Sequence, residues 1–206
     1  MSKAEHPLHA LAEFLPANSF AQVAEYLNKY KVHLTVTRER RSVLGDYRNA
    51  VRGKNHRITV NGNLNNFAFL ITLVHELAHL LAFEQYGNRI LAHGREWKQI
   101  YSHLLHDFVG RKIFPDDIEY ALFQSMQNPA ASSCAEEGLT RILRRYDDPK
   151  KNICLLEELP AGTFFRTHDG KIFQKGERLR KRFRCKEKNT GAIYLFSPVY
   201  EVKQVV

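Results

Sequence analysis

Cysteine is scarce in this chain. Three residues in 206, Cys134, Cys154 and Cys185, are odd in number and widely spaced, which argues against a disulfide framework and fits a reducing compartment. No pair has the short Cys-x-x-Cys spacing of a structural zinc site, so all three read as ordinary thiols. Long apolar runs are missing too. The longest, Phe67 to Val74, spans eight residues, too few to cross a bilayer. Met1 to Pro7 carries charge and leads into a helix-like stretch instead of a signal peptide. The expected setting is soluble and cytoplasmic, with no membrane partner.

Acidic residues run short in one part only. Residues 1–137 hold 15 Lys+Arg against 14 Asp+Glu, whereas residues 138–206 hold 16 against 8. Almost all of the +9 net charge therefore lies in the last third. Such density attracts polyanions through counterion release. The candidate contacts are Lys171, Lys175, Arg178, Arg180, Lys181, Arg182 and Arg184. Aromatic residues alternate with them, from Phe164 and Phe165 to Tyr194 and Phe196, and read as the core of a small β module with a basic outer face. If that face binds DNA, single-stranded or junction DNA included, the protein would be nucleoid-associated.

What the chain does contain is His75-Glu76-Leu77-Ala78-His79 inside an apolar stretch from Phe67 to Phe83. Histidines four apart lie about 40° apart on one helix face, so both rings can reach one metal ion. Zinc held by neutral imidazoles keeps its charge and lowers the pKa of bound water toward ~7, giving the intervening glutamate a proton to remove. With 10 His and 15 Glu, the pattern would arise by chance in roughly 0.03 of shuffled chains. Its context adds weight. A helix apolar on most sides is buried, and two imidazoles and a carboxylate buried together cost several kcal/mol unless they have partners. A shared Zn²⁺ answers all three.

For a third ligand the candidates are His93, Glu96, His103 and His106. The metal helix should end near Gly87-Asn88, and the next should begin close to His93-Gly94 and run through Trp97, Tyr101 and Phe108. That puts His93 where the chain has turned back toward the first helix, with Glu96 one turn on. His103 and His106 fall two or three turns away and read as solvated.

These residues, with His93-Gly94-Arg95-Glu96-Trp97, resemble the SprT-like metalloproteases, whose pattern is an H-E-x-x-H helix, a variable segment and a third histidine in an H-G-x-x-[WF] stretch. The likeness covers roughly the first 125 residues. It implies His75, His79 and His93 as zinc ligands and Glu76 as the general base activating a water molecule. It also implies hydrolysis of peptide bonds in proteins bound or crosslinked to DNA, a DNA–protein crosslink repair activity. The C-terminal module lacks the paired Cys-x-x-Cys of the zinc ribbon that such proteins often carry.

Around the motif, Leu8–Leu15 and Phe20–Tyr30 read as helices. Val32–Thr37, Ser42–Arg48 and Arg57–Asn61 read as three strands of a meander. The expected fold is α+β: helices, the metal helix among them, on a small three-stranded antiparallel sheet, followed by a β-rich module. The small, polar stretch Asn128-Pro129-Ala130-Ala131-Ser132-Ser133 reads as a linker, dividing a metalloprotease domain, 1–127, from a basic module, 134–206. In the latter, Glu136–Tyr146 looks helical, and turns are expected at Asp169-Gly170 and Lys175-Gly176. An edge strand, Ser42–Arg48 or Arg57–Asn61, would let a substrate backbone add to the sheet. The competing functions are a nucleic-acid-binding or transcription-associated factor with a mainly structural metal site, and a hydrolase of non-protein substrates. A fourth protein ligand, Glu96 or His103, would favour the structural site.

Overall fold

The computed structural model describes residues 8–40, 42–51, 53–127, 129–148 and 153–205. Two compact units divide the chain, Met1–Asp147 and Asp148–Val206.

In the first unit a 3-10 turn, Leu8–Phe14, precedes helix α1, Phe20–Lys29. Next come strands β1, His33–Thr37, β2, Gly45–Arg48, and β3, Arg57–Asn61, and then helix α2, Asn66–Tyr86. Helices α3, Arg95–Val109, α4, Asp116–Met126, and α5, Glu137–Leu143, complete it. Asn65 caps α2, its side chain accepting from the Ala68 N–H (2.9 Å), and Gly87 ends it with φ 61°. Eleven consecutive residues of α2, Ala68 to Ala78, are buried. By length and composition α2 could also cross a bilayer, but most of it is packed inside the unit, against α3, β2 and β3. It is the core helix, and every polar group on it must find a partner there. Helix α4 is an addition to the elements expected from the sequence, although Pro115 followed by Asp116, Asp117 and Glu119 in the first turn is a helix start.

The three strands are where expected, but they do not form an antiparallel meander. Their order is β1-β3-β2, with β1 parallel and β2 antiparallel to β3. Burial decides this. Ile58 and Val60 of β3 are fully buried, while β1 and β2 have no buried residue, so β3 takes the centre. The β1–β2 connection then has to pass the end of β3, where Asn61 holds it. Its Nδ2 donates to Arg40 O and Val43 O (3.0 Å each), and Arg40 Nε donates to its Oδ1 (2.8 Å). As a result β2 is an edge strand and β3 is not.

The stretch expected to be a linker lies within the first unit, with Asn128 outside the described residues. Polar and apolar ties hold the next segment in place. Glu136 accepts from Ser125 Oγ (2.7 Å) and Ala130 N (2.9 Å), Leu139 and Leu143 join the core, and Asn65 Nδ2 donates to Leu143 O (3.0 Å). Helix α5 therefore belongs with the metal helix, and the divide comes at Asp147/Asp148.

The second unit carries 13 Lys+Arg against 7 Asp+Glu, a net of +6. It is an antiparallel sheet of six strands: β4, Ile153–Leu155, β5, Phe164–Arg166, β6, Ile172–Arg178, β7, Phe183–Glu187, β8, Ile193–Phe196, and β9, Glu201–Gln204. Their order is β4-β9-β5-β6-β7-β8. Phe165, Phe173, Phe183, Cys185 and Val202 form its core, whereas Phe164 and Tyr194 are exposed. The turn at Asp169-Gly170 is present, with Gly170 at φ 87°. No turn forms at Lys175-Gly176. Strand β6 runs through it with a shift of register toward β7, and a Cβ on Gly176 would sit 2.3 Å from Arg184 O. The glycine serves close approach of two strands, a use of glycine within strands.

Candidate metal centre

Three imidazoles meet at one point. His75 and His79 project from α2, and His93 comes from the turn before α3, its Nε2 3.2 Å from His75 Nε2 and 2.9 Å from His79 Nε2. Ligand atoms of the three lie within 4.8 Å of one another. Two nitrogens about 2.0–2.1 Å from a tetrahedral ion stand about 3.4 Å apart, close to these separations. His93 adopts φ 59°, a left-handed backbone that costs about 1–3 kcal/mol and is kept where surroundings demand it. The turn is closed by Gly94 N donating to Leu91 O (2.9 Å), and α3 starts at Arg95.

Burial, then the neighbouring histidines, push His75 down to about 3, and burial and His93 push His79 down to about 4. His93 is lowered as well, by burial first and Lys98 second. At neutral pH the cluster offers uncharged nitrogens, the form that ligates a metal. The nitrogens that converge are the three Nε2 atoms, while His75 Nδ1, the other nitrogen of its ring, is buried without a hydrogen-bond partner. The donor set, its protonation state and its spacing fit one divalent ion. Trp97 forms the floor, its ring 4.6, 5.0 and 4.7 Å from the rings of His75, His79 and His93. Tyr101 stacks beneath it at 5.0 Å.

Among the described residues the cluster contains only these three. Glu96 is not part of it. His103 is 80% exposed beside Asp107, and His106 is exposed. Of the four candidates for third ligand, the fold brings only His93 to the pair.

Glu76 lies in the same cleft and is 5% exposed. Burial, then Asp46, raise its carboxyl to about 8, against the pull of Arg40. The cleft, about 480 Å³, is lined by β2 with the residues before it, Ser42 to Tyr47, and by Ala92 and Ala131 to Ser133. The supposed linker is thus one of its walls. Sequence reasoning misses Gly45, though a lone glycine in a strand pattern signals close backbone approach. A Cβ there would stand 2.6 Å from Glu76 Oε1 and 2.8 Å from Thr72 Cγ2. Gly45→Ala is expected to displace the Glu76 carboxylate, so that any hydrolysis the cleft carries would fall about 10²-fold while metal uptake matches that of wild type. Metal analysis beside a cleavage assay checks it.

The basic residues of the second unit divide. Lys175 is buried, its ammonium donating to Glu157 O and Leu159 O and lying 4.1 Å from the Phe183 ring, so it is withdrawn as a nucleic-acid contact. A strand residue facing a packed interior has to spend its donors on carbonyls. Arg180, Lys181 and Arg182 are exposed on the β6–β7 turn. Lys171 pairs with Asp169 (3.8 Å), Arg184 with Glu177 (3.6 Å), and Arg178 lies 5.9 Å from the Phe183 ring. Cys134 and Cys185 are free thiols.

Comparison with protein families matches residues 15–112 to the SprT-like family. No curated protein and no solved structure matches the chain. The matched span holds all three histidines, Glu76 and β2, and ends before α4 and the second unit. Over residues 15–112, the span that holds the whole candidate centre, the chain is similar to the SprT-like family.

Proposed function

We propose that this protein is a zinc-dependent endopeptidase acting on proteins bound or crosslinked to DNA. The observation that carries this reading is an open set of three histidines beside a buried carboxylate, in a cleft walled by an edge strand. A closed structural site would take four protein ligands; Glu96 and His103 stand outside the cluster.

His75, His79 and His93 would hold the ion, and Trp97 fixes their rings from below. Bound there, zinc supplies Lewis acidity and acidifies water. A positive charge among the imidazoles also draws the Glu76 carboxyl below the value it has alone. Glu76 then takes a proton at its carboxylate and returns it to the leaving amine. Strand β2 pairs with β3 on one side, and its other edge can receive an extended substrate backbone. Recognition of main chain suits broad specificity.

Exposed cations on the β6–β7 turn and the net +6 of the second unit support recruitment to DNA. The test is cleavage of a DNA-binding protein by zinc-loaded enzyme, with and without single-stranded DNA. DNA-stimulated cleavage supports the whole reading. Cleavage that ignores DNA leaves a peptidase without the DNA role. Salt-dependent DNA binding without cleavage of any protein favours a binding factor with a structural metal.

A further inference from the structure

Beside the metal cluster the first unit contains a second group of polar side chains that the proposed chemistry does not use: Tyr47 on β2, His56 just before β3, and Glu84 on α2, five residues beyond His79. Tyr47 Oη lies 2.9 Å from His56 Nδ1, and His56 Nε2 lies 3.2 Å from Glu84 Oε1. The backbone fixes the proton positions. Ala50 N–H donates to His56 Nδ1 (3.3 Å), so Nδ1 is an acceptor, the ring hydrogen is on Nε2 facing Glu84, and the Tyr47 hydroxyl donates to Nδ1. His56 is 7% exposed, and the Glu84 side chain is 44% exposed.

The rings of this chain lie in layers. Tyr47 is nearly parallel to His79, with centroids 6.4 Å apart at 6°, and to His56, 5.9 Å apart at 18°. Phe83 closes the far side of His56 edge-on at 6.0 Å. Trp97 lies 5.0 Å from His79 at 32°. His79 is therefore flanked by two aromatic rings, and the tyrosine is itself held by a hydrogen-bonded chain that returns to the helix bearing His79. Groups that orient a ligand imidazole tune its metal, and losing one typically costs about 10–100-fold in affinity.

We propose that Tyr47, held by His56 and Glu84, is a positioning residue for His79, setting the plane in which that imidazole meets the metal. The proposal rests on the metal reading of the cluster but not on any substrate. Phe at 47 keeps a ring but loses the tie to His56, Phe at 56 removes the acceptor, and Gln at 84 keeps an oxygen for His56 Nε2–H where Ala does not.

The test uses the full chain and Co²⁺, whose visible bands report ligand geometry, with Zn²⁺ affinity measured by chelator competition. Tyr47→Phe and His56→Phe should each weaken Zn²⁺ binding about 10–100-fold and alter the Co²⁺ bands. The double variant should be no worse than the weaker single one, because both break one chain. Zn²⁺ affinity within twofold of wild type together with unchanged Co²⁺ bands in Tyr47→Phe would overturn the proposal. A purely structural role would instead lower the melting temperature of the metal-free protein and leave the bands alone. Should the core variants fail to fold, the half-exposed position decides: Glu84→Ala weakened and Glu84→Gln rescued supports the chain, and two equal variants refute it. A wild type that binds Co²⁺ yet cleaves no protein defeats the peptidase reading and leaves this proposal standing, whereas one that binds no metal defeats both.

Discussion

Glu76→Gln is expected to lower peptide hydrolysis about 10²–10⁴-fold, the contribution of a general base, with zinc content unchanged. Gln fills the same space and keeps an acceptor oxygen but cannot take a proton. Because the three imidazoles do not depend on Glu76 for their spacing, metal should stay bound, and equal zinc in both proteins makes the rate comparison meaningful. Equal rates at equal zinc would remove Glu76 from the chemistry. The same variant has a second signature in metal-free protein. Glu76 titrates near 8 in the fold against an ordinary 4.5, so its stabilising contribution is complete below about 4.5 and declines as pH rises to about 8. Gln has no such titration. Metal-free Glu76→Gln should overtake metal-free wild type in melting temperature as pH rises through that window, and parallel curves would contradict the buried, protonated carboxyl.

Zinc itself should produce the largest change in stability. An ion that binds only the folded chain adds about 4.1 kcal/mol at a thousand times its dissociation constant, or roughly 10 °C in melting temperature for a unit of this size. His93→Ala should abolish most of that gain. Two histidines on one helix remain, but the ligand that closes the set from the turn before α3 is gone. The metal-free variant should melt near metal-free wild type or slightly below it, because alanine is no easier to hold at φ 59° than histidine, while its response to zinc is lost. A calorimetric scan of both proteins with zinc and with chelator decides the matter. An undiminished zinc response in His93→Ala would assign the third ligand elsewhere.

These effects involve residues that the sequence displays openly. The metal helix is legible because its apolar residues and its ends agree: Asn65 and Gly87 cap the stretch that carries both histidines. Helix lengths bring both His93 and Glu96 back toward the pair, since the chain reverses after Gly87 and restarts at Arg95, and the resemblance to SprT-like proteins is what selects His93. The strand positions come from alternation and turn residues. Their order does not, because alternation says which face of a strand is buried and nothing about its neighbours. The domain boundary is hidden for a related reason. Pro129 to Ser133 has the composition of a linker, yet the Glu136 contacts and the Leu139 and Leu143 packing that bind the next helix to the first unit involve partners distant in sequence.

The sequence by itself thus determined the chemistry available: three imidazoles and a carboxylate on elements that can converge, and a surplus of cations in the last third. Local spacing and helix geometry give the pair of imidazoles, the carboxylate and the cations, and the family resemblance adds His93. Only the tertiary structure decided that β2 is the edge strand facing Glu76, that Gly45 makes room for that carboxylate, that Tyr47 lies along His79, and that Lys175 is buried among carbonyls instead of facing solvent. Each of these depends on which surfaces pack together, and packing is settled by burial and polar pairing summed over the whole unit.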